Sequence, residues 1–264
     1  MSLDLPPLGL GTSGMDDPEE CRESVARALD IGYRHVDTAQ MYDNERPVGE
    51  GIRRSGVDRE DIVLATKIHP DNLAYDDAIE TATESLDTLG FDTVDLLYVH
   101  WPMRAYDPEE TLRAMSALQA EGVTRHVGVS NFTPELLDEA RELLDAPIAA
   151  HQVECHPLLR QETLRERARA NDDKLVAYCP LGQASISHPT LEEIADKHET
   201  TAPLVCLAWC LAQEAVVPIP KATGEHVREN WDAQELSLDQ TDLDRIAAIE
   251  ETERLIDPDG AAWN

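Results

Sequence analysis

Asp61-Ile-Val-Leu-Ala-Thr-Lys-Ile68 and Thr93-Val-Asp-Leu-Leu-Tyr-Val-His100 are two short runs rich in β-forming residues, and a longer amphipathic segment, Tyr75–Leu89, lies between them. The two runs predict strands, whereas the longer segment predicts a helix that Gly90 ends. Two consecutive strands joined by a helix lie parallel in one sheet. The stretch therefore predicts a βαβ unit, and the fold depends on how often this unit recurs.

The same alternation extends in both directions and gives eight strand–helix units, with a further helix over 239–251. The predicted strands are 8–12, 33–38, 61–68, 93–100, 124–130, 148–154, 174–179 and 215–220. The predicted helices are 18–32, 44–55, 75–89, 108–121, 134–144, 159–170, 190–199, 202–214 and 225–235. Eight units in about 250 residues predict an α/β fold, the (β/α)8 TIM barrel. No linker interrupts the pattern, so residues 1–264 are interpreted as a single domain, with an open doubly wound sheet as the alternative.

The charge of the chain restricts its partners. Acidic residues number 53 against 22 basic ones in 264 residues, and the net charge is −31. A surface this acidic repels nucleic acid and anionic membranes, and its self-repulsion favours a monomer. Salt near 1 M shortens the Debye length to about 3 Å and screens this repulsion. We therefore interpret the chain as an intracellular, halophilic protein, with an ordinary acidic protein as the alternative.

The sequence shows no targeting or membrane-spanning pattern. The longest strongly apolar run, 204–212, is too short to cross a bilayer, and residues 1–6 do not resemble a signal peptide. Five cysteines without a secretory signal are typical of reduced thiols. We expect a cytoplasmic protein in which Cys206 and Cys210, four residues apart in the apolar run, line a buried helix face.

Gly9-Leu-Gly11-Thr-Ser-Gly14 has the spacing G-x-G-x-x-G, and Asp37 ends the following strand, as an acidic ribose ligand does in a Rossmann domain. That motif requires a helix N-terminus at the glycines to hold a pyrophosphate. Here Met15-Asp-Asp-Pro18 separates the glycines from the next helix, and its two carboxylates would repel phosphate. We interpret the segment as a glycine-rich strand end that lines a barrel mouth.

Polar side chains follow the predicted strands at their carboxyl ends, where barrel enzymes carry their chemistry. In chain order they are Asp37, Lys67, His100, Ser130 with Asn131, Gln152 with Glu154, Tyr178 and Lys221. Taken singly, Asp37 could cap the next helix and His100 could be a core histidine. Together, these side chains predict one site at the mouth of the barrel.

The lysines indicate the chemistry of this site. Only four lysines occur in the chain, and two of them, Lys67 and Lys221, stand at strand ends. A Lys67 ammonium held by Asp37 would lower the pKa of a neighbouring phenol from about 10, and Tyr42 supplies such a phenol. A phenol that donates a proton, with His100 as a hydrogen-bond donor to the same oxygen, suits carbonyl reduction. A cofactor must then supply the hydride, because no side chain can.

Seven segments match known sequence signatures. Two long segments are Gly32-Tyr-Arg-His-Val-Asp37-Thr-Ala-Gln-Met-Tyr42-Asp-Asn-Glu45 and the stretch from Met115 to Gly128-Val-Ser-Asn-Phe132. Two strands are Leu64-Ala-Thr-Lys67 and Asp95-Leu-Leu-Tyr-Val-His100-Trp-Pro102. Three further segments are His151-Gln-Val-Glu-Cys-His-Pro157, Tyr178-Cys-Pro-Leu-Gly182 and Ile219-Pro-Lys221. With these segments, the chain resembles the aldo-keto reductase family over nearly its full length.

The resemblance implies an activity, a cofactor and a set of site residues. The implied reaction is the reversible, NADPH-dependent reduction of a small aldehyde or ketone. The implied catalytic residues are Asp37, Tyr42, Lys67 and His100, with Tyr42 as the proton donor. The implied cofactor contacts are Ser130, Asn131 and Gln152 at the carboxamide, Tyr178 on the nicotinamide, Lys221 at the 2′-phosphate, and Leu181, Thr223, Arg228 and Asn230. Trp101 is expected to contact the substrate.

Three features depart from the family pattern. Ala222 follows Lys221 where a serine is common and the segment is one residue short, so NADH is an alternative to NADPH. Ser13 stands where an aromatic residue often lines the substrate pocket. The tail over 257–264 is short, which predicts an open and permissive site with Trp263 as one apolar wall.

Two other functions compete with this interpretation. His151, Glu154 and His156 could belong to a metal hydrolase, but strand alternation points His151 away from the other two, so we expect no metal. A non-catalytic NADP-binding regulator on the same fold is the second alternative, against which the four catalytic residue types argue. The substrate stays open among small aldehydes, methylglyoxal-like dicarbonyls and keto sugars.

Overall fold

The computed structural model describes residues 3–182 and 188–263, and an eight-stranded sheet forms its centre. The strands are β1 (Leu10–Gly11), β2 (His35–Asp37), β3 (Val63–Ile68), β4 (Val94–Val99), β5 (Thr124–Ser130), β6 (Ile148–Glu154), β7 (Lys174–Tyr178) and β8 (Val216–Pro218). They follow one another in sequence order, and each strand is parallel to the next. A chain of βαβ units produces this order, because each helix returns the chain to the start of the neighbouring strand.

Backbone hydrogen bonds between the first and last strands close the sheet into a barrel. The Gly9 N–H donates to the Pro218 carbonyl oxygen (3.0 Å), and the Gly11 N–H donates to the Pro220 carbonyl oxygen (3.2 Å). Gly11 also pairs in parallel with Lys221. The predicted (β/α)8 barrel is confirmed, and the open doubly wound sheet is wrong.

The glycines of the G-x-G-x-x-G segment serve this closure. A Cβ on Gly11 would lie 2.6 Å from the Ile219 carbonyl oxygen, and a Cβ on Gly9 would lie 2.5 Å from the His35 ring. Both positions require glycine, because a larger residue would push neighbouring strands apart. The next helix begins only at Pro18, so no helix N-terminus meets the glycines as a Rossmann motif requires.

Helices alternate with the strands around the barrel. They are α1 (Pro18–Ile31), α2 (Glu45–Ser55), α3 (Tyr75–Leu89), α4 (Pro108–Ala120), α5 (Pro134–Leu143), α6 (Glu162–Asn171), α7 (Pro189–Lys197), α8 (Ala202–Leu211), α9 (His226–Asp232) and α10 (Gln240–Ala247). Proline opens α1, α4, α5 and α7, each behind a side chain that caps the helix. Such openings fix where each helix leaves the end of a strand.

Several helix bounds differ from the prediction because local turns intervene. Helix α6 begins at Glu162 rather than at 159, since Gln161 takes a left-handed conformation with φ of 51°. Helix α9 ends at Asp232, and a 3₁₀ turn over Ala233–Glu235 follows. Helix α10 ends at Ala247 rather than at 251, and an irregular tail follows it.

Apolar side chains pack on both sides of the strands. A large cluster fills the space between the strands and the helices, and Cys206 and Cys210 of α8 belong to it, as predicted. A smaller cluster contains Ala65, Leu96, Tyr98, Ala150, Val176, Val217 and Ile219. Strand alternation turns Lys67 to the same face as Ala65, so this smaller cluster forms the floor beneath Lys67. None of the described helices has the length and apolar character that crossing a membrane requires.

Candidate active site

A buried lysine is the centre of the site. Lys67, near the end of β3, is fully buried, and its Nζ forms an ion pair with Asp37 at the end of β2. The same Nζ donates to the Thr38 carbonyl oxygen (2.8 Å) and to the Tyr42 hydroxyl oxygen (3.3 Å). An ammonium has three N–H donors, and these contacts use all three. The buried charge is therefore compensated, and the three contacts fix the orientation of the ammonium toward Tyr42.

A short 3₁₀ turn after β2 brings Tyr42 next to Lys67, whose Nζ lies 4.9 Å from the centre of the phenol ring. The side chain of Gln40 holds this turn in place. Its Oε1 accepts a hydrogen bond from the His69 N–H (2.8 Å), and its Nε2 donates to the Thr81 carbonyl oxygen (3.0 Å). The turn is thus tied both to the end of β3 and to helix α3, which sets the distance between phenol and ammonium.

The pKa of Tyr42 differs from the sequence prediction. Burial raises this pKa, and although the Lys67 ammonium acts to lower it, the net shift is upward. The ammonium alone would lower the pKa of Tyr42, but the loss of water around the buried phenol has the larger effect. Burial also acts to lower the pKa of Lys67, but Asp37 and Tyr42 outweigh burial and raise it. Both groups therefore hold their protons at neutral pH, as a proton donor must.

His100 follows β4 directly and packs against Tyr42 edge to face, with 5.6 Å between the ring centres. Burial, with help from Lys67 and His69, holds the pKa of His100 well below its usual 6.5. Its Nδ1 has no hydrogen-bond partner in the part of the chain that the structure describes. A neutral imidazole carries one N–H and one acceptor nitrogen, so His100 can donate to a substrate oxygen without adding a charge.

A second group of polar side chains lines the same mouth at the ends of β5, β6 and β7. The Nδ2 of Asn131 donates to the Ser130 hydroxyl (3.0 Å), and its Oδ1 accepts from the Tyr178 hydroxyl (2.9 Å). The Nε2 of Gln152 donates to Asp37 Oδ2 (2.8 Å). Asn131 reaches this position with φ of 64°, in the left-handed region that asparagine tolerates better than most residues. The Asn131 N–H donates to the Gln152 carbonyl oxygen (2.9 Å), so Gln152 connects Asn131 with the Asp37–Lys67 pair.

The segment after β8 carries the predicted phosphate contacts. Lys221 is exposed, and within residues 3–182 and 188–263 its ammonium has no ion pair. Thr223 is half-buried. Arg228 of α9 is exposed and faces Asp232 at 3.7 Å, so its charge is partly compensated. Lys221 is the freer of the two cations.

This mouth fits a dinucleotide of the NADP type. Asn230 is buried, and its Nδ2 has no acceptor among the described residues, so a ligand atom could accept a hydrogen bond there. Lys221 offers an uncompensated ammonium to a phosphate. Leu181 packs on the apolar cluster outside the barrel, and Tyr178 presents a half-exposed ring on which a flat base could stack.

The mouth contains an open cavity of about 510 Å³ beside Tyr42. Its lining residues are Ser13, Gly14, Asp16, Met41, Tyr42 and Asp43. Trp101, the residue after His100, is nearly buried, and its ring centre lies 5.6 Å from that of Trp263 in the tail. The site therefore has a polar, acidic side and an aromatic side.

Known proteins share both the sequence and the fold. The Aldo/keto reductase family model matches residues 7–251. The chain belongs to the aldo/keto reductase family. It is 38% identical over 265 residues to Methylglyoxal reductase DkgB of Salmonella typhi, and 98% of each chain is covered. It is 36% identical over 255 residues to Glyoxal reductase of Bacillus subtilis, with 96% of this chain and 92% of that one covered.

Solved structures of aldo-keto reductases superpose closely on this one. The aldo-keto reductase MGS-M4 from a Medee basin deep-sea metagenome library has a TM-score of 0.90 and 34% identity, with 97% of this chain and 95% of that one covered. The Bombyx mori aldo-keto reductase in complex with NADP has a TM-score of 0.87 and 29% identity, with 96% and 92% covered. The chain is therefore an oxidoreductase that reduces carbonyl groups, and the regulator alternative has no support.

In this aldo/keto reductase, the residues of the metal alternative have other partners. His151 Nε2 accepts a hydrogen bond from the Phe132 N–H (3.3 Å), whereas Glu154 Oε1 lies 3.0 Å from His156 Nε2. His151 thus points away from the other two, as strand alternation predicts. In the described ranges, no three His, Cys, Asp or Glu side chains cluster as metal ligands do.

The contacts of two residues in this reductase could not be predicted from the sequence. Gln40 looks like any polar residue of a loop, yet it holds the turn that carries Tyr42. Glu154 is recognisable as a strand-end residue, but its partners are the N–H groups of Leu255 and Ile256, about a hundred residues away. Motif spacing cannot reveal a contact between residues so far apart in the sequence.

Proposed function

We propose that this reductase converts small aldehydes and ketones to alcohols with NADPH, and that Tyr42 donates the proton. One observation carries the proposal: the Tyr42 hydroxyl oxygen lies 3.3 Å from the Nζ of a lysine that is itself paired with a buried carboxylate. NADPH, when bound, supplies the hydride to the carbonyl carbon. Asp37, Tyr42, Lys67 and His100 are the proposed catalytic residues.

The protein's part in the reaction is to move one proton and to stabilise the charge that this movement creates. Negative charge develops on the phenol oxygen as the Tyr42 proton leaves for the carbonyl oxygen. The Lys67 ammonium already donates to that oxygen, so it stabilises the developing phenolate without rearrangement. Asp37 and the Thr38 carbonyl hold the other two N–H groups and keep Lys67 aimed at the phenol.

His100 orients the substrate in this proposal. Its low pKa keeps the ring neutral, so an N–H can donate to the carbonyl oxygen without competing with Tyr42 for the role of acid. Its main chain is fixed by Asn131, whose Nδ2 donates to the His100 carbonyl oxygen (3.0 Å). The carbonyl oxygen is then held between two donors.

The remaining residues are proposed to hold the cofactor. Ser130, Asn131 and Gln152 would bind the carboxamide, and Tyr178 would stack on the nicotinamide. Lys221 would meet the 2′-phosphate, which favours NADPH over NADH. Further contacts are proposed at Leu181, Thr223, Arg228 and Asn230.

The proposed substrates are small, polar carbonyl compounds, with methylglyoxal-like dicarbonyls first. Relatives with over a third of their residues in common are named methylglyoxal reductase and glyoxal reductase. In the lining, the Ser13 hydroxyl can donate to a further oxygen atom of the substrate, whereas the Asp16 and Asp43 carboxylates, which only accept hydrogen bonds, suit substrates that carry hydroxyl groups. Trp101 would form the apolar wall. A single-domain, monomeric, cytoplasmic enzyme that works in high salt, without nucleic acid or membrane partners, completes the proposal.

Replacing Tyr42 by Phe tests the assignment of the acid, because it removes the hydroxyl and keeps the ring. In molar KCl, we expect kcat for methylglyoxal reduction to fall about 10³-fold. The Kd for NADPH, measured by fluorescence titration, should stay unchanged. Tyr75→Phe, which removes a hydroxyl on α3 outside the site, is the matched control. Wild-type turnover in Tyr42→Phe would overturn the assignment.

A further inference from the structure

The tail after α10 is attached to the barrel through a buried carboxylate. Glu154, the last residue of β6, is fully buried. Its Oε1 accepts from the Leu255 N–H (2.7 Å), and its Oε2 accepts from the Ile256 N–H (2.9 Å). Within residues 3–182 and 188–263, no lysine or arginine pairs with this carboxylate. Backbone N–H groups of the tail therefore take the place of a counter-ion.

The other lone pairs of this carboxylate are also directed. His156 is fully buried, and its Nε2 lies 3.0 Å from Glu154 Oε1. A carboxylate offers only acceptors, so Nε2 is the donor in this pair. His156 orients the carboxylate toward the tail but does not need the tail for its own hydrogen bond. Glu154, in contrast, loses two of its three donors if the tail leaves.

This arrangement couples the position of the tail to the energy of a buried charge. Hydrogen bonds to an ionised group are stronger than those between neutral groups, and an unsatisfied buried carboxylate is costly. Tail release would leave Glu154 with His156 alone beside Tyr178, its partner in the β6–β7 register. The carboxylate thus favours the docked tail over a released one.

The docked tail reaches the substrate side of the mouth. Just before the attachment, the Glu253 N–H donates to the Leu158 carbonyl oxygen (2.9 Å). Just after it, the chain carries Trp263 onto Trp101, with 5.6 Å between the ring centres. The guanidinium of Arg254, which also belongs to the tail, lies 4.0 Å from the centre of the Trp263 ring and forms a cation–π contact with it. The tail therefore connects the buried contact of Glu154 at the end of β6 with the aromatic side of the site.

We infer that Glu154 is a positioning residue that holds the tail over 252–263 across the barrel mouth, so that Trp263 completes the binding wall for the carbonyl substrate. This inference rests on the proposed function, since it assigns the substrate to the side of Trp101. The hydrogen bonds of the Glu154 side chain within the described residues go to His156, Leu255 and Ile256 rather than to Tyr42 or Lys67, so Glu154 acts through the tail.

Glu154→Gln tests the inference, because an amide keeps one acceptor oxygen and turns an N–H₂ group toward a backbone donor. We expect KM for methylglyoxal to rise about tenfold, with kcat and the Kd for NADPH within about twofold of wild type. Hydrogen exchange of the Leu255 and Ile256 amides should accelerate at least tenfold. Glu253→Gln, which removes one exposed carboxylate beside the attachment, is the control. It should change neither KM for methylglyoxal nor the exchange of the two amides.

A second pair of variants separates positioning from a general structural role. Leu255→Pro removes one donor from the tail side while Glu154 stays intact, and it should raise KM as Glu154→Gln does. In a Trp263→Ala background, in which the wall is already missing, Glu154→Gln should raise KM no further. Multiplicative effects of the two substitutions, or a fall in kcat with unchanged KM, would overturn the inference.

Hydrogen exchange distinguishes failure of this inference from failure of the proposed function, because it needs no turnover. Amides of Leu255 and Ile256 that stay protected in Glu154→Gln would show that the carboxylate does not hold the tail, whatever the substrate is. Faster exchange without any change of KM would place the tail away from the substrate and also overturn the inference.

Discussion

The two ends of the barrel mouth in this reductase are built in opposite ways. At the proposed proton-donor end, formed by Asp37, Tyr42, Lys67 and His100, a lysine with no exposed surface has each of its donors occupied. At the proposed phosphate end, formed by Lys221, Thr223, Arg228 and Asn230, both cations are exposed. Among the described residues Arg228 has one loose ion pair with Asp232, and Lys221 has none. The first end is fixed before any ligand binds, whereas the second can be arranged by the ligand.

The difference follows from what each end must do. Proton transfer needs donors aimed at the atom where charge develops, and this is achieved by burial and a complete hydrogen-bond network. Phosphate recognition needs accessible positive charge, which a chain of net charge −31 has in few places. Substitutions at the proton-donor end should therefore act mainly on kcat and stability. Substitutions at the phosphate end should act mainly on cofactor affinity.

Lys67→Met should have the largest effect, because it damages both chemistry and folding. We expect kcat to fall by about 10²–10³, since the phenolate loses its ammonium. We also expect the free energy of unfolding to fall by about 3–5 kcal/mol, because Asp37 stays buried without its partner. Stopped-flow reduction assays and denaturant unfolding in molar KCl measure the two effects.

A double variant separates these two losses. Asp37→Asn with Lys67→Met removes the unpaired charge, so it should recover most of the stability but none of the lost kcat. Recovery of kcat together with stability would mean that Lys67 supports the fold and not the phenol, and the contrast between the two ends would disappear.

The same contrast explains how much could be predicted from the sequence. Asp37, Lys67 and His100 were predictable because strand alternation and strand ends place them in one mouth, and the barrel itself follows from eight repeated units. The direction of the Tyr42 pKa shift could not be predicted, because burial dominates this shift and is a property of the packed structure. The pairing of Arg228 with Asp232 has the i,i+4 spacing that any helix brings together, so the sequence also allows it. The contact of Glu154 with the tail depends on side-chain positions that no motif encodes.

Lys221→Ala should have the next largest effect, and it should appear in affinity alone. Loss of a charged hydrogen bond to the 2′-phosphate is expected to weaken NADPH binding about tenfold to a hundredfold. NADH binding and kcat at saturating cofactor should change little. Lys174→Ala, at the start of β7 and away from the mouth, removes the same charge and serves as the control. Equal losses for both cofactors would remove Lys221 from the phosphate.

Salt should change cofactor affinity by a few-fold and in an unusual direction. The Debye length falls from about 10 Å at 0.1 M to about 3 Å at 1 M, which screens the repulsion between this acidic surface and an anionic dinucleotide. The short-range contact with Lys221 is screened less. We expect the Kd for NADPH, measured by calorimetry, to hold or to fall as KCl rises. A steep loss of affinity would contradict the idea that a few local cations bind the phosphate.

Arg228 should have the smallest effect of these substitutions, because its charge is already shared with Asp232 at an exposed site. Exposed ion pairs contribute little, so Arg228→Gln is expected to weaken NADPH binding only about twofold. Asp232→Asn should do the reverse and tighten binding by a similar factor, since it frees the guanidinium. Fluorescence titration of both variants with NADPH and NADH checks this. A loss as large as that of Lys221→Ala would mean that the ligand draws Arg228 away from Asp232, and the phosphate end would then depend on both cations.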